Sequence, residues 1–167
     1  MQGCINCLVD AVDISAGGTF DGVIGTASFD RYRLELTVDS AVRIETTGAG
    51  GVCPGDTVMQ LLNETEDTVV LDRNDDLALD DGPAPPCSLF EAKVAAGVYH
   101  LIVTEYNDDD AVNYLLNTLI QALVPAGGAC TLETENDADD CILGASCRES
   151  VGGANFCVVD GCGNGFI

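Results

Sequence analysis

Most of the chain alternates apolar and polar residues with a period of two. In "DRYRLELTV", Tyr32, Leu34, Leu36 and Val38 alternate with Arg31, Arg33, Glu35 and Thr37. That is the spacing of a strand burying one face. "AVRIETT" repeats it with Val42 and Ile44 inward, and "GAGGVCPGD" breaks it with turn residues. "DTVMQLLN", "DTVVLD", "SLFEAKV", "VYHLIVTEY" and "AVNYLLNTLIQALV" follow as further strands. The breaks between them, "NETED", "NDDLALDDGPAPPC", "AAG" and "NDDD", consist almost wholly of turn formers. With a short strand over Thr19–Ile24 the pattern predicts about eight strands, the signature of an antiparallel β-sandwich of jelly-roll type. No segment sustains apolar residues at helical spacing with caps. Tyr114 to Val124 alone is ambiguous, with room for a helical turn at either end.

Either side of this pattern the character changes. The first sixteen residues, "MQGCINCLVDAVDISA", read as an extended arm, apolar from Ile5 to Ile14. After "VPAGGAC" glycine and cysteine dominate and alternation fades. The expected organisation is therefore an arm over 1–16, a sandwich over 17–124 and a Cys-rich module over 125–167. The module has too few apolar residues to fold without disulfides.

Composition narrows what such a protein does. Hydrophobic residues make up 47% of the chain and mean hydropathy is +0.21, enough for a real core. Against 28 acidic residues stand six basic ones, giving a net charge of −22, and Lys93 is the sole lysine. No basic patch can be assembled, so nucleic acid is excluded as a partner, and an anionic membrane surface would repel the chain. Divalent cations or a cationic partner are the natural counter-ions. No apolar run approaches the ~18 residues of a membrane span.

Nine cysteines, Cys4, Cys7, Cys53, Cys87, Cys130, Cys141, Cys147, Cys157 and Cys162, read as a disulfide framework in an oxidising compartment. Only Cys4 and Cys7 have the close pairing of a structural zinc site. Cys53 and Cys87 lie in turn-rich loops flanking the same strands, so a bridge within the sandwich is expected there. The odd count leaves one thiol free or shared with another chain. The pairing of Cys4 and Cys7 with the module's five stays open, with an arm-to-module bridge and a link between molecules as alternatives. Met1 to Asp10 lacks the basic and apolar regions of a signal peptide. A secreted protein of this sequence would be a mature form whose native start need not be Met1.

The order of motifs adds a family likeness. "DRYRLELTV", "AVRIETTG", "GDTVMQLL", "NDD", "SLFEAKVAAGVYHLIVTE" and "NYLLNTL" succeed one another over residues 17–124. This order resembles a bacterial pre-peptidase C-terminal (PPC) domain, with Asp56-Thr57, Asn74-Asp75-Asp76 and Gly97-Val98-Tyr99 at its motif positions. Met59 within the Asp-Thr strand, and Cys53 and Cys87 around the central strands, depart from the family pattern. The resemblance implies a secreted, non-catalytic jelly-roll sandwich, often calcium-binding, that sits beside a hydrolase. The Cys-rich module is more loosely similar to short "C…DxDC…G…C" segments of secreted proteobacterial proteins.

Calcium would explain why "LDRNDDLALDDG" concentrates charge. Asp72, Asn74 and Asp76 alternate as at the start of a calcium loop, yet Leu77 and Pro83 stand where an EF-hand needs glycine and glutamate. The alternative geometry gathers Asp75, Asp76, Asp80 and Asp81 between strand ends, towards the roughly six to eight oxygens that Ca²⁺ takes. "NDDDAVN", with Asp108, Asp109 and Asp110, and "ETENDADDC", with Glu135, Asp137 and Asp139, are further acidic clusters. A solvated acidic turn is the plain alternative for each.

Catalysis finds little support. His100 is the only histidine and lies in an apolar strand, and a nucleophile needs a neighbouring base. Paired acids mean nothing among so many. Sugar platforms want exposed aromatics, but tryptophan is absent and Tyr32, Tyr99 and Tyr114 fall on inward positions, leaving Tyr106 outside. Two functions follow. One is a secreted, calcium-stabilised structural protein that self-assembles with copies of itself into a filament or surface layer, the arm adding as a strand to a neighbour. The plain alternative is that the arm is the sandwich's own first strand. The other is a monomeric accessory module that binds an extracellular polymer or protein.

Overall fold

The computed structural model describes residues 11–65, 69–74, 87–107, 110–130, 140–143, 145–150 and 153–159. Within them are eleven strands and no helix. Eight are those of the alternating pattern: β2 (Gly18–Ile24), β3 (Asp30–Leu36), β4 (Ser40–Thr47), β5 (Thr57–Asn63), β6 (Val69–Asn74), β7 (Leu89–Val94), β8 (Gly97–Glu105) and β9 (Val112–Ala122). A two-residue β1 (Val12–Asp13) precedes them, and β10 (Ala145–Glu149) and β11 (Asn155–Val159) follow. Two sheets form the sandwich, in the orders β1-β3-β8-β5-β6 and β2-β9-β4-β7. From β2 to β9 the chain crosses between them at every connection except the β5–β6 hairpin. Such alternation makes an antiparallel sandwich of jelly-roll type. No helix among the described residues is long and apolar enough to cross a membrane.

Alternation sorts the side chains as the pleat requires. Tyr32, Leu34 and Leu36 of β3, Met59 and Leu61 of β5, and Tyr99, Leu101 and Val103 of β8 point inward from one sheet. Val42 and Ile44 of β4 and Val112, Tyr114 and Leu116 of β9 meet them from the other. Each fully buried side chain of this size stabilises the fold by about 1.5–3 kcal/mol. The tyrosines divide as their positions predict, with Tyr32, Tyr99 and Tyr114 buried and Tyr106 exposed. No helical turn interrupts 114–122. β9 runs unbroken between β2 and β4, and its ladder hydrogen bonds on both sides fix the extended form.

The end of the arm is part of the sandwich. Val12 and Asp13 pair in parallel with Tyr32 and Arg33, Ile14 N–H donates to Arg33 C=O, and the Ile14 side chain is fully buried in the core. Residues 12–14 therefore form the sandwich's own first strand, while Cys4, Cys7 and the rest of 1–10 lie outside the described residues.

Cys53 and Cys87 are bonded, as their flanking loops predict. Next to Cys87, Ser88 joins Thr46 and Thr57 in a buried hydroxyl cluster. Thr46 Oγ1 and Thr57 Oγ1 are 2.5 Å apart, Ser88 N–H donates to Thr46 Oγ1 at 2.9 Å, and Ser88 Oγ donates to Thr57 C=O. The cluster satisfies its own polar groups in the apolar interior, as burial demands.

Beyond β9 a second, smaller group of buried residues gathers around Cys141, Ala145 and Cys157. β10 and β11 form a hairpin in which Cys147 and Cys157 are opposite one another, yet they do not bond together. Cys147 bridges to Cys130 and Cys157 to Cys141, tying the hairpin to the segments that precede it. Cys162 lies outside the described residues.

Candidate functional site

Of the predicted calcium ligands, the structure describes Asp110, which is exposed, and the backbone of Asp72 and Asn74 in β6. Asp75, Asp76, Asp80, Asp81, Asp108 and Asp109 lie outside the described residues, as do Glu135, Asp137 and Asp139. The surroundings of β6 are nevertheless informative. Asn74 is in register with Met59 near the start of β5, and Thr57 is in register with Glu105 at the end of β8. Tyr106 N–H donates to Asp56 C=O, and Asn107 N–H donates to the buried Glu105 carboxylate at 3.0 Å. One end of the five-stranded sheet thus carries Asp56, Glu105 and Asn107, beside the end of β6.

Cys130, Cys141 and Cys157 approach Asp140 closely enough to suggest a metal centre, their ligand atoms lying within 4.8 Å of one another. Their sulfurs are consumed in two disulfides, so the group is the crossing of those bridges.

His100 is buried in β8, with Arg33 and Leu62 as its cross-strand neighbours, neither of them a nucleophile. Burial first, then the charges of Arg31 and Arg33, hold its pKa below the ordinary histidine value against the opposing pull of Glu64. A histidine so placed favours the neutral form, and its two ladder neighbours carry no hydroxyl or thiol.

A concavity lies elsewhere, along the side where the sheet edges β1 and β2 face each other. A groove of about 420 Å³ runs there, with Ala11 and Val12 on one wall, Asp21, Gly22 and Val23 on the other, and Phe29 to Tyr32 as its floor and end. Val12, Val23 and Phe29 stand 47%, 63% and 55% exposed, so apolar side chains line an open cleft.

Its floor is held by a polar clasp between the sheets. Asp30, at the start of β3, accepts at Oδ2 from Tyr114 Oη of β9 (2.9 Å) and from Val23 N–H of β2 (2.9 Å). Tyr114 Oη also lies 2.7 Å from Tyr32 Oη. One carboxylate therefore joins three strands of two sheets. Gly22 makes room for this: a Cβ there would lie 2.1 Å from the Tyr114 ring. Burial is the main reason that Tyr114 holds its proton far more tightly than an ordinary tyrosine, with Tyr32 and Asp30 adding to it. Tyr32 is raised too, again chiefly by burial, with Asp30 and Asp21 adding to the rise and its bond to Tyr114 opposing it.

Sequence reasoning identified neither groove nor clasp. Tyr32 and Tyr114 were legible as inward residues, but their 82-residue separation concealed that they touch. The signal that existed was local: "SFDRY" sets an exposed aromatic and an acid directly before a strand.

No protein-family model matches the chain, and no curated protein matches it. Solved structures do resemble it. The pre-peptidase C-terminal domain of a collagenase from Bacillus anthracis superposes with a TM-score of 0.50 at 18% identity, covering 66% of this chain and 95% of that one. PliG from Aeromonas hydrophila, a periplasmic inhibitor of g-type lysozyme, covers 66% of this chain and 96% of its own at 14% identity and a TM-score of 0.45. The first likeness shows that the sandwich has the PPC fold, in agreement with the motif order over residues 17–124.

Proposed function

We propose that this protein is a non-catalytic extracellular accessory module, a disulfide-clamped sandwich that takes calcium at its acidic end and works by binding. The observation that carries the reading is that Asp56, buried Glu105 and Asn107 lie at the end of the sheet where β6 ends at Asn74, the residue before the segment bearing Asp75, Asp76, Asp80 and Asp81. Carboxylates gathered there at a net charge of −22 would repel one another, and a divalent ion would remove that repulsion. Three disulfides among the described cysteines suit an oxidising compartment. The fold is that of a collagenase's PPC domain.

Thermal unfolding in excess calcium and in excess chelator tests the reading. Saturation at about a hundred times Kd adds ~2.7 kcal/mol, a rise of several degrees in a chain of this length. Identical midpoints would remove calcium from the proposal. Sedimentation of the same samples tests self-assembly. A monomer in both supports the accessory module; calcium-dependent fibres would favour the self-assembling structural protein. Since Val12 and Asp13 already pair with the sandwich's own β3, strand addition by the arm would have to use residues 1–10.

A further inference from the structure

The groove between β1 and β2 has the elements of a strand-docking site. Among the described residues β2 is a sheet edge that pairs with β9 alone. Backbone groups of successive strand residues point to opposite sides, and Val23 N–H points away from β9, because it donates to Asp30. Asp21 therefore presents its N–H and C=O, and Val23 its C=O, towards the groove. On the facing side β1 is two residues long and pairs with Tyr32 and Arg33 of β3. An unpaired edge beside an apolar cleft is a template for an added strand.

Charge selects the occupant. Asp21 is exposed on the wall, and both hydrogen bonds of Asp30 fall on Oδ2, so Oδ1 remains available to a donor. Arg31 is the single cation of the lining. A second copy of this chain is a poor fit: it carries the same −22, and its apolar arm "INCLVDAVDI" contains two aspartates and no cation.

We infer that this groove binds an extended, cationic segment of a partner protein by strand addition to the free edge of β2. An apolar side chain of the segment sits among Val12, Val23 and Phe29, and a lysine or arginine reaches Asp21 and Asp30. None of the groove's lining residues is among the proposed calcium ligands, so the inference is tested separately from calcium binding.

The test uses the full chain and a synthetic peptide of alternating lysine and valine, with a lysine–glycine peptide of equal charge as comparison. Binding is followed by calorimetry and by backbone NMR shifts. The expected result is saturable binding of the lysine–valine peptide, with shifts concentrated at residues 21–23 and 29–32. Phe29→Ser and Asp21→Asn, both at exposed positions, weaken it at least tenfold, whereas Glu91→Gln on the far edge strand β7 does not. Equal binding of the lysine–glycine peptide, unaffected by the groove variants, would reduce the effect to diffuse attraction and overturn the inference. So would peptide-independent dimerisation through the groove. If neither peptide binds while calcium still raises the melting temperature, the groove is refuted and the accessory-module reading survives.

Discussion

Tyr114→Phe removes one oxygen from the clasp and so measures what the clasp contributes. Tyr114 is 3% exposed and Tyr32 is 2% exposed, so both hydroxyls are largely withdrawn from bulk solvent. The substitution deletes a hydrogen bond to a carboxylate, worth about 1.5–3 kcal/mol net, and leaves the Tyr32 hydroxyl buried without its recorded partner, which costs about 1–3 kcal/mol. Phenylalanine recovers part of this because no hydroxyl need be buried. A net loss of about 2–4 kcal/mol is expected, with a fall in Tm of roughly 2–4 °C for each kcal/mol. Tyr32→Phe, which keeps the Tyr114–Asp30 bond, should cost about 1 kcal/mol. Urea unfolding followed by tyrosine fluorescence is the suitable assay. All four tyrosines lie in the sandwich and the chain has no tryptophan, so the signal does not report on the Cys-rich module. The double variant should cost clearly less than the sum of the singles, since both remove the same contact. A Tyr114→Phe loss below about 0.5 kcal/mol, or strict additivity with Tyr32→Phe, would refute the clasp as a source of stability.

Three further outcomes follow from the same structure. Tyr114 and Tyr32 have raised pKa values in the fold, so stability is level below the unfolded tyrosine pKa of about 10 and falls above it, as the unfolded chain ionises first; pH-dependent urea midpoints should show this decline, shallower in Tyr114→Phe. His100 has a lowered pKa, so its contribution is present above about pH 6.5 and is lost on acidification; His100→Gln should lose stability less steeply than the parent between neutral pH and pH 5. The Cys53–Cys87 bridge closes a separation of 34 residues, for which chain entropy gives about 4 kcal/mol; the Cys53→Ser, Cys87→Ser double variant should show that loss in urea, and an unchanged midpoint would exclude it.

How much of this was legible beforehand depends on the range of the interaction. Alternation in "DRYRLELTV", "AVRIETT" and "VYHLIVTE" fixes which residues face the core, because a strand's pleat assigns faces by a strictly local rule. The eight strands of the sandwich, their inward tyrosines and the Cys53–Cys87 bridge all follow from such local patterns and from turn residues. Pairing is a different matter. Nothing local in "VNYLLNTLIQA" states that it lies between β2 and β4, and its intrinsic preferences left room for a helical turn until two flanking ladders removed it. Likewise Cys147 and Cys157 are cross-strand neighbours that bond elsewhere, a choice made by the positions of Cys130 and Cys141.

The sequence by itself determined the fold class, the core-facing residues, the poverty in basic groups and the oxidising chemistry of its cysteines, since composition and two-residue periodicity need no knowledge of the chain's path. Only the tertiary structure decided that Asp30, Tyr32, Tyr114 and Gly22 form one clasp, that residues 12–14 close the sandwich's own edge, and that a groove opens beside it. Those features depend on which strands become neighbours. That is settled by packing two twisted sheets over a shared core, where segments distant along the chain first come within the few ångströms over which hydrogen bonds and contacts act.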